Sequence, residues 1–313
     1  MMNSLKIFLS QIIDYAGLYP PASLPLEDAF HNFVKYQKEA DAWMLSRFII
    51  PAKRLAELSQ LANAFPIEGV LTFSALGRGG RDANEFLQNL KLDIEDIDAF
   101  RAHHGSGLLV DMFEVALPAS ALNDNTSAHD LVNGTADILN KNGLTVFFEA
   151  SFGDGWQERA ERLIRALRKL KDKHVGFKLR TGGVTADAFP STQQVAWVIA
   201  AMRDAGVPIK ATAGLHHPVR HYNESVQTRM HGFLNVFGGG ILAVTNHLSM
   251  EQIQAVLEDE VPANFVFDEA GFAWKDLRAV TSEIMNARHQ VASFGSCSFE
   301  EPREDLRLIG LLL

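Results

Sequence analysis

The sequence predicts an α/β protein whose fold class is a single (β/α)8 TIM-type barrel with an N-terminal helix and a C-terminal extension. Three observations predict it. Short apolar runs alternate with helix-length amphipathic segments along the whole chain. No linker, composition break or low-complexity tract divides residues 1–313, so one domain is expected over that span. The length of 313 residues is that of a barrel core of roughly 250 with a few longer loops. A doubly wound open sheet is the competing arrangement, and the G-x-G-x-x-G turn of that fold does not follow the first strand.

In chain order, the apolar runs that read as strands are 12–15, 45–50, 69–74, 108–113, 145–150, 175–180, 208–212 and 264–267. Between them, helical patterns run over 26–40, 53–64, 156–172, 192–205 and 250–257. Leu163, Ile164, Leu167 and Leu170 show the three-and-four spacing that gathers apolar residues on one helix face. Pro51 and Pro190 stand near helix starts, and Gly143 and Gly206 stand just past helix ends. The triplet Gly238-Gly239-Gly240 lies among Phe233, Leu234, Phe237, Ile241 and Leu242, which reads as a closely packed helix rather than a phosphate loop. Residues beyond a minimal barrel fall at the N-terminal helix, around 119–128 and 220–228, and in the tail after Ser293.

Hydrophobic residues make up 47% of the chain and charged residues 21%, which fits a packed globular protein. The net charge, 29 − 38 = −9, supplies no global field for phosphates, so no nucleic-acid partner is expected. The single cysteine, Cys297, excludes an intrachain disulfide and a Cys-rich zinc site; it reads as a tail packing residue. The most apolar stretch, 232–244, contains Asn235 and falls short of the about 20 residues needed to span a bilayer. The N-terminal run 5–13 is broken by Lys6, Ser10 and Gln11 and reads as an amphipathic helix. A soluble cytoplasmic protein without a membrane partner is expected, and a homo-oligomer is left open.

In a barrel, alternate strand residues point inward, and active sites form at the carboxyl ends of the strands. On the sixth strand, Val175, Phe177 and Leu179 share one parity, while Gly176, Lys178 and Arg180 share the other and point inward. Interior cations are costly unless they are paired or hold an anion. Thr181-Gly182-Gly183 follows, where small residues let backbone amides approach an oxyanion. On the seventh strand, Lys210 and Thr212 point inward, and the loop beyond carries His216, His217, Arg220 and His221. Glu149 closes the fifth strand facing inward, and Glu114 is placed at or just past the end of the fourth. Asp14 and Arg47 occupy the first two strands. The gathering of cations in an acidic protein points to a small anionic molecule, a carboxylate or phosphate. The bland alternative is an interior salt-bridge network of Lys178 and Arg180 with Glu149 and Glu114.

A strand-six lysine followed closely by Thr-Gly, with a second lysine on strand seven, resembles deoxyribose-phosphate aldolase and related class I aldolases. The resemblance rests on Lys178-Leu179-Arg180-Thr181-Gly182 and on Lys210, about a tenth of the chain. It implies that Lys178 forms a Schiff base and that Lys210 helps keep it uncharged. The sequence departs from that family at Arg180, where a small polar residue is usual, and its acid is left among Asp111, Glu114 and Glu149. Asp14-Tyr15-Ala16-Gly17-Leu18-Tyr19-Pro20-Pro21-Ala22 and Lys210-Ala211-Thr212-Ala213-Gly214-Leu215-His216-His217-Pro218 are similar to an uncharacterised bacterial barrel family, which implies no activity.

The expected function is therefore a carbon–carbon lyase acting on a small anionic carbonyl compound through an imine. Lys178, Lys210 and Glu149 are its catalytic residues, and no cofactor is called for. Arg180, Gly182, Gly183, Thr212, His216, His217, Glu114, Asp14 and Arg47 are the candidates for holding substrate. One alternative is an isomerase or epimerase in which the lysines stabilise an enolate without bonding to it. Another is a barrel that binds a small anion without catalysis. A metal site at His216 and His217 lacks any H-x-H or H-E-x-x-H spacing, so no metal is expected.

Overall fold

A computed structural model describes residues 2–62 and 69–312. The elements run α1 (Asn3–Leu9), β1 (Ile13–Tyr15), α2 (Leu26–Tyr36), β2 (Leu45–Pro51), α3 (Leu55–Ala62), β3 (Leu71–Leu76), α4 (Ala83–His104) and β4 (Leu108–Leu117). They continue with α5 (Asn125–Lys141), β5 (Thr145–Ala150), α6 (Trp156–Arg168), β6 (Val175–Arg180), α7 (Thr192–Ala205), β7 (Ile209–Thr212), β8 (His221–Asn223) and β9 (Thr228–Met230). The chain ends with α8 (Phe233–Asn246), α9 (Met250–Glu258), β10 (Phe265–Phe267), β11 (Gly271–Trp274), β12 (Leu277–Val280), α10 (Thr281–Ala287), β13 (Val291–Ser296) and α11 (Glu300–Leu308). The last two residues of the helix expected over 53–64 lie outside the described residues.

The barrel is closed, with strand order β1-β13-β7-β6-β5-β4-β3-β2. Its pairings are parallel, as strand–helix–strand crossovers require. The eighth barrel strand is β13, not the run 264–267. That run forms β10, which pairs antiparallel with β11, and β11 with β12, in a separate three-stranded sheet. The reason lies in the inward positions of β13: Ser293 and Gly295 break its apolar run, whereas Phe265 and Phe267 both bury a ring. The fourth strand also runs further than expected, to Leu117, so Glu114 sits within it rather than at its end.

Contacts divide the chain into two compact units, and the boundary on the sixth strand falls between Lys178 and Leu179. The first unit comprises Met1–Ser23, Tyr36–Ser46 and Leu179–Leu313. In it, β1, β13 and β7 lie side by side, and Phe294 of β13 stacks on Phe233 of α8 at 5.3 Å between centroids. Phe8 of α1 packs against Phe267 and Phe272, each at 5.1 Å, so the N-terminal helix covers the three-stranded sheet. The glycine triplet lies inside α8, where a Cβ on Gly238 would stand 2.7 Å from the Phe272 ring.

The second unit comprises Leu24–Lys35 and Arg47–Lys178. Phe33 of α2 lies 5.4 Å from Phe48 of β2, and Phe73 of β3 lies 5.8 Å from Phe100 of α4. Phe48 and Phe73 therefore face the helices, and their neighbours Ile49 and Ser74, paired with each other, face the opposite way. The ladder of β3 and β4 shifts register between Phe73 and Ser74, which are opposite Val110 and Met112. Asp111 is the extra residue of that bulge, and its carboxylate takes both arms of Arg47 at 2.7 Å.

Candidate functional site

In the second unit, Lys178 of β6 is in register with Glu149 of β5. Paired residues of a parallel sheet project from the same face, so the two side chains stand together. Lys178 Nζ lies 3.5 Å from Glu149 Oε2 and 3.0 Å from Glu114 Oε2. Ser74 Oγ donates to the other oxygen of Glu114 at 2.6 Å. The side chains of Lys178, Glu114 and Glu149 are 5%, 0% and 7% exposed. One cation thus meets two carboxylates out of water. Such neighbours favour the ammonium form and offer it two proton acceptors.

In the first unit, Lys210 of β7 donates to the carboxylate of Asp14 on β1, and its Nζ lies 3.4 Å from Ser293 Oγ. Ser293 Oγ in turn donates to Asp14 Oδ2 at 2.5 Å. Lys210 and Asp14 are fully buried. A register shift in β13 between Val291 and Phe294 accompanies the placement of Ser293 in this trio. The sequence reading made Lys210 the cation that holds Lys178 uncharged. Here the charge of Lys210 is met by Asp14, and carboxylates stand at Lys178. The interior salt-bridge network expected as the alternative is present for Lys178.

Thr181 continues the strand pairing beyond Arg180. Its N–H donates to Thr212 O at 2.8 Å, and its hydroxyl donates to Ala213 O at 2.6 Å. Ala213 and Gly214 then turn with φ of 63° and 74°. A Cβ on Gly182 would lie 2.6 Å from the Phe189 ring and 2.9 Å from Gly214 Cα, and one on Gly183 would lie 2.5 Å from Ala188 Cβ. These two glycines therefore answer a packing requirement of their own loops.

The loop after β7 is held by the C-terminal helix. Glu301 Oε2 of α11 lies 3.1 Å from His216 Nδ1, and Asp305, one turn on, pairs with His217 Nδ1. Cys297 Sγ lies 3.8 Å from the same nitrogen of His216. Burial pushes His216 down, but the bonds to Cys297 and Glu301 outweigh it and raise its pKa to about 9. His217 meets His221 edge to face at 4.3 Å. His221 is pushed below the usual histidine value, chiefly by burial and then by His217. Sequence reasoning missed Glu301, Asp305 and Ser293. The four-residue spacing of Glu301 and Asp305 marks one face of a helix, but nothing in the sequence says which histidines it meets. Cys297 is buried, in line with a packing residue, and directly follows the barrel strand β13.

Among the described residues, no group of three or more His, Cys, Asp or Glu is arranged to hold a metal ion. No helix among them is long and apolar enough to cross a membrane.

No protein-family model matches the sequence, and no curated protein matches it. Solved structures do match its fold. The chain is similar to the tetrameric deoxyribose phosphate aldolase from Aeropyrum pernix at 14% identity and TM-score 0.52, over 98% of this chain and 93% of that one. It also matches QR15, described as an aldolase, at 12% identity and TM-score 0.46, over 67% of this chain and 83% of that one. An endoglucanase from Clostrdium longisporum matches at 10% identity and TM-score 0.41, over 92% and 97%. At 14% identity the likeness to the Aeropyrum pernix enzyme is one of fold, the barrel, which carries many chemistries.

Proposed function

We propose that this protein is a carbon–carbon lyase that acts on a small anionic carbonyl compound through an imine on Lys178. The observation that carries the reading is the buried amine of Lys178 with carboxylates at 3.0 and 3.5 Å. An ammonium is no nucleophile, so its proton must leave before the carbonyl is attacked. Glu149 or Glu114 accepts that proton, giving a neutral amine beside a neutral acid. The amine nitrogen bonds to the carbonyl carbon, and the π pair moves to oxygen. Returning protons expel that oxygen as water and leave a protonated imine. Glu149 or Glu114 takes the hydroxyl proton of the departing fragment, which leaves as an aldehyde while the electron pair of the broken carbon–carbon bond flows into the imine and forms an enamine. The same acid returns the proton to the enamine carbon, and water then releases the second product and restores the Lys178 amine. Arg180, Thr212, His216, His217 and the Gly182-Gly183 loop, with Asp14, Arg47 and Glu114, are assigned to holding the anionic substrate, and Lys210 is kept as the second catalytic lysine. A protonated His216 at neutral pH suits that assignment. No cofactor enters. A single domain over 1–313 and a homo-oligomer, as in the tetrameric Aeropyrum pernix enzyme, belong to the same reading; sedimentation at several concentrations tests the assembly.

A second reading keeps Lys178 as a charged group that stabilises an enolate while Glu149 moves the proton. The two carboxylates beside the ammonium favour it. Borohydride separates the two readings. With a panel of small phosphorylated and carboxylated aldehydes, reduction should add the mass of one substrate less one oxygen to Lys178, and Lys178→Met should abolish the label. Turnover without a trapped adduct would sink the imine and leave the enolate. Binding without turnover would reduce the barrel to an anion-binding protein.

A further inference from the structure

A basic cleft in the second unit is unused by the chemistry above. Arg162, Arg165, Arg168, Lys169 and Lys171 fall on α6 and just beyond it, and no acid interrupts residues 162–171 of a chain with net charge −9. Together with Asn125, His129 and Ala166 they line a cleft of about 540 Å³. That is within the range of roughly 300–1,000 Å³ usual for small-molecule sites.

Two of these cations are tied into the protein. Arg162 donates to Leu122 O at 2.9 Å, and Arg165 donates to Glu161 Oε1 at 2.5 Å. Arg168, Lys169 and Lys171 make no side-chain hydrogen bond or ion pair among the described residues. On the α5 side, His129 Nδ1 is shut off from solvent and has no hydrogen-bond partner, a state that most buried polar atoms avoid. Arg162, Arg165 and Lys169 follow the three-and-four spacing of one helix face, and at 1.5 Å per residue they span about 10 Å.

We propose that this cleft binds a small polyanion carrying two or more phosphate groups. The unpaired cations Arg168, Lys169 and Lys171, beside Arg162 and Arg165, reward a ligand that brings several charges, whereas a single phosphate meets only part of the row. Guanidinium forks match phosphate oxygens two at a time, and three of the five cations are arginines. Among the described residues, no Phe, Tyr or Trp lines the cleft to stack on a nucleobase. The phosphates themselves, rather than a nucleoside, are the recognised part.

Titration calorimetry of the full chain with orthophosphate, tripolyphosphate and citrate tests this. At about 0.15 M salt, where surface charges are screened beyond ~8 Å, tripolyphosphate should saturate and bind at least about tenfold tighter than orthophosphate. Arg165→Ser, Arg168→Ser and Lys169→Ser combined should weaken it by roughly tenfold or more. These three positions are exposed, so the variant should melt like the parent. Equal affinity in parent and triple variant would overturn the site. Tighter binding of citrate than tripolyphosphate would overturn the phosphate assignment. No saturation below about 10 mM would overturn both, since that is weaker than ~3 kcal/mol of binding. The triple variant should leave borohydride labelling of Lys178 unchanged, which separates this site from the proposed imine chemistry.

Discussion

Lys178 is held in a charge balance that a single substitution upsets. Replacing it by Met leaves Glu114 and Glu149, both nearly out of water, without their shared cation. Breaking a buried pair in this way typically costs about 3–5 kcal/mol. Denaturant unfolding of Lys178→Met at neutral pH should show a loss of that order. His216 carries a pH dependence. Its folded-state pKa is raised to about 9 from 6.5. Its contribution is therefore complete below about 6.5 and is lost as pH rises through about 9. The total is at most about 3 kcal/mol. Melting temperature measured across that window should fall with pH, and Glu301→Gln should flatten the fall. A parent protein whose stability is level across the window would refute the assignment.

Helix α7 begins with Ser191 Oγ accepting from Gln194 N at 3.2 Å, while Gln194 Oε1 accepts from Ser191 N at 2.8 Å. Each group satisfies an amide that the first helical turn leaves open. Ser191→Ala should cost about 1 kcal/mol, read from the denaturation midpoint at constant slope. The loop between β6 and α7 depends on a tighter constraint. A methyl at position 182 would meet a ring that can rotate and, at 2.9 Å, a backbone carbon that cannot move without its strand. Gly182→Ala should cost about 1–3 kcal/mol by overpacking. It should also weaken any anion bound beside Thr181. A fully stable variant with parental ligand affinity would show that the two loops do not have to touch.

At the scale of the molecule, closure of the barrel depends on β13. This strand pairs with β1 on one side and β7 on the other. A chain ending at Gln290 loses those pairings and also α11, with Glu301 and Asp305. Unpaired backbone groups on β1 and β7 are then left at open edges. Such a chain should show no cooperative thermal transition by circular dichroism, whereas removal of residues 311–313 alone should leave the transition intact.

The fold was legible to the extent that side-chain periodicity carried it. The strand over 175–180 and the helix over 192–205 appear with the bounds their apolar spacing implies. The inward parity of Lys178 and Glu149 followed from the two-residue repeat of a strand. The eighth strand was not legible, because an apolar run such as Phe265–Phe267 reads the same in an outer antiparallel sheet as in a barrel. The sequence by itself determined the barrel class and the residue types that gather acids and bases. Only the tertiary structure decided which acid meets which base: Asp14 with Lys210, Glu114 and Glu149 with Lys178, Glu301 with His216. The physical reason is range. Secondary structure follows from neighbours three or four residues apart, whereas an ion pair such as Asp14 with Lys210 joins residues 196 positions apart and exists only once strand order and register are set.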